Sequence, residues 1–201
     1  MYAPALHDES TSLRHQLDAQ LSALHACVLG LTEEQVRATP CRSVLSVGGL
    51  LKHVTHGMRG AITRLTGGTV PAYDEAVYAA YQRSFTLTGD ESGHSVLADF
   101  EQVRQEFLAV VAEADPDTEL LEPPSPWYGI PDARPVRTRY LLLHLVEEFA
   151  RHAGHADIVR EQLDGLSVPA LQMTEEGVRP NEFFTPYVPA PGTVGAPVSR
   201  P

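Results

Sequence analysis

Apolar positions recur every three or four residues in four long stretches of the chain, the period of a helix with one buried face. The first stretch spans about Asp8 to Leu29, where Leu13, Leu17, Leu21, Leu24 and Val28 form the stripe. The second starts near Ser46 and stops at Gly67-Gly68, a pair suited to ending a helix. The third covers about Ser95 to Ala114, with Val96, Phe100, Val103, Phe107 and Val110 facing inward, and stops before Asp115-Pro116. The fourth runs from about Val136 to Leu163 and ends at Asp164-Gly165. Between the first two, Thr32 with Gln35 three residues on predicts a short turn opened by a capping box. Residues 74–85 read as a short extra helix in a Tyr-rich linker, and residues 122–131 as a Pro-rich loop. There is no alternation of strands and helices and no internal repeat.

Four such helices with short to medium connections predict an all-α fold, a single four-helix bundle over residues 1–166. Residues 167–201 lose the periodicity, and seven of these 35 residues are proline. They read as an extended Pro-rich tail. Met173, Phe183, Phe184 and Tyr187 lie within it, so it is expected to pack on the bundle or on a partner subunit.

Charge narrows the function. The formal net charge is −11, the one lysine is Lys52, and no basic run occurs, so nucleic-acid binding is not expected. Cys27 and Cys41 form no disulfide framework or Cys-based metal pattern and read as reduced core residues. The N-terminal decapeptide lacks a basic region followed by an apolar run, which argues against a signal peptide. No apolar run reaches membrane-spanning length. A cytoplasmic protein is expected, with a homodimer left open.

In a bundle, cofactor sites form from polar side chains on inward helix faces. The fourth helix carries His144, Glu148, His152 and His155 at steps of four, four and three, so neighbours in the series share a face. On a helical wheel at about 100° per residue, His152 falls among the apolar positions and Glu148 on their rim. His144 and His155 fall toward solvent, and Glu147 with Arg151 forms an outer ion pair. On the second helix His53 lies nearer the apolar stripe than His56. His53, Glu148 and His152 are therefore the candidate metal ligands, suited to zinc first, or to nickel, iron or manganese. A structural Glu–His pair is the alternative reading. His56 and Asp157 are candidates for orienting the ligands, with His56 facing water, and Asp157 bonded to a neighbouring helix or in a buried salt bridge, as the alternatives. His7, His15, His25 and His94 read as surface residues.

These residues carry a family resemblance. The segment Arg139 to Gly165, RYLLLHLVEEFARHAGHADIVREQLDG, resembles the fourth helix of the DinB-like superfamily, in its DUF664 branch. SVGGLLKHVTHGMRGAITRLTGG resembles the second helix of that branch and LTEEQVRATP the turn before it, so the likeness covers about residues 5–166. The resemblance implies an up-down-down-up bundle with one His ligand on the second helix and two ligands four apart on the fourth. Many members have His and His in that last pair; the mycothiol-dependent isomerase branch has Glu and His. The matching positions here are His53, Glu148 and His152. The resemblance further implies a metal-dependent S-transferase or isomerase that joins mycothiol, a low-molecular-weight thiol, to a small electrophile. Trp127, Tyr128 and Arg139 are the expected substrate contacts, with a structural ion pair an equal reading for Arg139. A hydrolase or lyase using metal-activated water, and a non-catalytic metal-binding stress protein, are the competing readings.

Overall fold

A computed structural model describes residues 5–69, 71–72 and 74–196. Its helices are α1 (Glu9–Ala26), α2 (Glu33–Arg37), α3 (Val47–Leu65), α4 (Glu75–Arg83), α5 (Gly93–Glu113), α6 (Thr138–Asp164) and α7 (Val168–Glu175). A 3-10 turn covers Pro126–Tyr128, between the strands β1 (Glu119–Glu122) and β2 (Arg134–Arg137).

Side-chain caps set the helix starts by satisfying backbone N–H groups that have no partner within the helix. The Asp8 carboxylate accepts from Thr11 N at 2.7 Å, and Ser46 Oγ accepts from Gly49 N at 3.0 Å. Thr32 and Gln35 form the capping box expected from their spacing. Ser92 and Ser95 exchange bonds in the same way at the start of α5, two residues earlier than the apolar period alone suggested. The inner face of α5 also differs from expectation. Val111 is buried, whereas Val110 is only half-buried, because the stripe through Val103 and Phe107 advances by four residues at that turn.

The four long helices share one core. α3 and α1 each pack on both α5 and α6. Leu17, Leu21, Leu50, Leu51, Phe100, Phe107 and Leu141 are fully buried there. Phe107 meets Phe149 edge to face at 5.9 Å, tying α5 to α6.

The chain is mostly helical, but not wholly. β1 and β2 pair antiparallel, with Glu119 opposite Arg137 and Glu122 opposite Arg134. Arg64 on α3 holds the Glu122 carboxylate at 2.6 Å. Four-residue strands depend on a partner distant in sequence, so no local period announces them.

The irregular tail expected after residue 166 is corrected in part. Residues 168–175 form α7, which lies on α1. His25, read as a surface residue, is half-buried, and its Nδ1 lies 2.7 Å from Glu175 on α7. Farther on, Gly30 N donates to Val194 O at 2.8 Å, and Val194 N donates to Leu31 O at 2.9 Å. Gly30 has φ +76°, and a Cβ there would overlap the Tyr187 ring, so glycine meets both demands of the position. Tyr187 sits over the Arg160 guanidinium at 5.6 Å. Arg160, fully buried, donates to the carbonyls of Cys27 (2.8 Å) and Leu29 (2.7 Å). The outermost parts of the two predicted segments, residues 1–4 and 197–201, lie outside the described residues. No helix among the described residues is long and apolar enough to cross a membrane.

Candidate metal centre

α3 and α6 bring His53 and His152 together, edge to face, with ring centroids 4.7 Å apart. One turn before His53 stands Gly49. A Cβ there would overlap the carbonyl oxygen of Phe85, so the bare helix surface is what admits the Phe85 backbone. The Phe85 ring then stacks flat on His53, at 3.8 Å and 16°. Tyr81 meets the same imidazole edge-on at 5.5 Å. Ser84, between them in sequence, places its Oγ 2.8 Å from His53 Nδ1. On α6, His152 Nε2 lies 3.5 Å from the Oε2 of Glu148, one turn earlier.

Burial governs the charge of this group. It lowers the His53 pKa to about 3, with His152 and His56 adding to the effect. It lowers that of His152 to about 4, helped by His155 and Arg151. Both rings are neutral at pH 7 and carry a lone pair, the form that binds metal. Burial, then Glu148 and Tyr128 nearby, pushes the Tyr81 phenol up and keeps it protonated. His152 Nδ1 is buried with no hydrogen-bond partner among the described residues. Two neutral imidazoles and a carboxylate are donor types that a divalent transition metal takes, but His53, Glu148 and His152 do not bring three ligand atoms within 4.8 Å of one another.

A second grouping lies on the same helix. The ligand atoms of His144, Glu147 and Glu148 all fall within 4.8 Å of one another. It shares Glu148 with the expected trio but not the imidazoles of His53 and His152. His144 and Glu147 occupy the solvent side assigned to them by periodicity, and Glu147 is already paired with Arg151.

The other expected site residues scatter. His56 is exposed. Asp157 accepts from Cys27 Sγ on α1 at 3.2 Å, a contact with α1 rather than with either imidazole. Trp127 and Tyr128 are exposed on the 3-10 turn, 6.1 Å apart. Tyr128 is near enough to Tyr81 to raise its phenol pKa. Arg139 pairs with Asp117 at 2.8 Å and Glu9 at 3.6 Å. It precedes His152 by thirteen residues, roughly 20 Å along α6, so the fold does not bring it to the imidazoles. Tyr81, Ser84 and Phe85 were not foreseen. The signal that could have found them is Gly48-Gly49, a bare patch of helix surface one turn before a candidate ligand.

A family model described as mycothiol-S-transferase matches residues 12–165. The chain belongs to the mycothiol-S-transferase family. No curated protein matches it. The part matched to the mycothiol-S-transferases begins within α1 and ends just after α6, so it contains His53, the α4 wall and the Glu148–His152 turn. α7 and the return through Tyr187 and Val194 lie beyond the matched region.

Proposed function

We propose that this chain is a metal-dependent S-transferase that joins mycothiol to a small electrophile, with His53, Glu148 and His152 holding one divalent cation, zinc by preference. One observation carries the reading. Facing helices of a mycothiol-S-transferase family member bring together a buried and a half-buried neutral imidazole, with a carboxylate one turn from the buried one. The frame we propose for it is the up-down-down-up bundle of α1, α3, α5 and α6 within residues 1–166, with residues 167–201 as an appended segment. The cytoplasm, where small thiols stay reduced, is its proposed location.

A cation held by these residues would lower the pKa of a thiol brought to it and so supply thiolate at neutral pH. The chain's own residues do the rest. His53 and His152 offer lone pairs without first losing a proton. Glu148 supplies the negative charge of the set. Phe85 and Tyr81 cover His53 and keep water from it. Trp127 and Tyr128, with Tyr81, form an exposed aromatic rim offered to the electrophile. In the transfer, a carbon–sulfur bond forms as the leaving group departs with its electron pair, and the thiol proton passes to solvent. No protein thiol is consumed. Cys27 donates to Asp157, and burial pushes its pKa well above the usual 9.

The test is conjugation of mycothiol to a bromomethyl fluorophore, corrected for the spontaneous rate. Conjugate should accumulate only when mycothiol and metal-loaded protein are both present. Full activity after chelation would sink the proposed metal dependence.

A further inference from the structure

We propose that Ser84 is a positioning residue that holds His53 as the Nδ1–H tautomer, leaving the lone pair on Nε2, the nitrogen a cation would take. The inference rests on the metal-centre reading for its purpose, but its evidence is a count of protons in the protein alone.

Ser84 is the residue that closes α4, and it is buried. Its Oγ lies 2.6 Å from the Tyr81 carbonyl oxygen and 2.8 Å from His53 Nδ1. A carbonyl oxygen only accepts, and a hydroxyl has one hydrogen. At 2.6 Å that hydrogen lies between the two oxygens, since otherwise their lone pairs would face each other at hydrogen-bond distance. Ser84 Oγ then has only lone pairs to offer His53. The Nδ1 must donate, and because a neutral imidazole carries one N–H, Nε2 must be bare. The stack of Phe85 and the edge of Tyr81 hold the ring in the plane where this bond forms. α4 is therefore more than a linker: its last turn aims aromatic walls at His53 and sets which nitrogen is free. Fixing a ligand's tautomer through its other nitrogen is a general means of tuning metal affinity.

Long-range proton–nitrogen spectra of the imidazoles test this, recorded on the 15N-labelled full chain with zinc and after chelation. His53 should carry its proton on Nδ1 in both. In Ser84→Ala the chelated protein should shift toward the Nε2–H form. Its zinc Kd, from competition with a chromophoric chelator, should rise about 10–100-fold. Ser84→Thr, which keeps a hydroxyl, should retain the Nδ1–H signature. An Nε2–H signature in the chelated wild-type protein overturns the inference, and so does an unchanged tautomer in a folded Ser84→Ala. The wild-type spectrum decides even if both variants fail to fold. Nδ1–H in a chelated wild-type protein that takes up no zinc would remove the metal reading and leave the role of Ser84 standing.

Discussion

Two sets of potential ligands meet on α6 and share Glu148. His152 is buried and faces His53 of α3; in the other set His144 is half-buried and Glu147 exposed. The residue types are alike, so composition cannot rank them. Burial does. It takes His152 and His53 far below their ordinary pKa of 6.5 and leaves His152 Nδ1 without a partner among the described residues. At the surface, Glu147 has already spent its charge on Arg151, and water competes for every donor. The comparison sets a desolvated pair of neutral imidazoles drawn from two elements against a tighter but solvated grouping on one helix.

The strongest way to break this comparison is to remove one imidazole from each set. His152→Ala should abolish metal retention, taking zinc from about one equivalent to near none by elemental analysis. His144→Ala should leave the content within about twofold. The reverse pattern would move the centre to the surface grouping.

A second change attacks the wall rather than the ligands. Gly49→Ala places a methyl against the Phe85 carbonyl and should cost about 1–3 kcal/mol in denaturant unfolding. It should also lift the His53 pKa toward 6.5 as Phe85 moves off the ring. An unchanged pKa would mean that Phe85 is not what keeps His53 dry.

Acid should weaken the chelated protein through His53 and His152. The folded pKa values of His53 and His152, about 3 and 4, lie below the unfolded value of 6.5. As pH falls from about 6.5 toward 4, the unfolded chain gains protons that the folded chain cannot hold, so stability falls with pH. Replacing both histidines with Asn should flatten that dependence. Smallest of all should be Glu147→Gln, an exposed ion pair worth at most about 1 kcal/mol, detectable as a slight fall in melting temperature.

The long helices were legible because their causes are local. A stripe at Leu13, Leu17, Leu21 and Leu24, and an Asp or Ser placed to cap, need only their own neighbours. The wheel also placed His152 inside and Glu147 outside for the same reason. Arg139 shows the limit of that reasoning: its helix was right, but Asp117 and Glu9 engage it far from the imidazoles. β1 and β2 find each other across a Pro-rich loop, and His25 meets a glutamate 150 positions away. No window of sequence contains such partners.

By itself the sequence determined the four long helices, most of their inner faces and a short set of candidate ligands, because period and spacing are properties of one segment. Tertiary structure alone decided what surrounds those ligands. The last turn of α4 closes over His53 only because α3 is bare at Gly49, and it brings Phe85, Tyr81 and the Ser84 hydroxyl with it. Desolvation, pKa and tautomer are properties of that packed assembly, which exists only once separate segments have met.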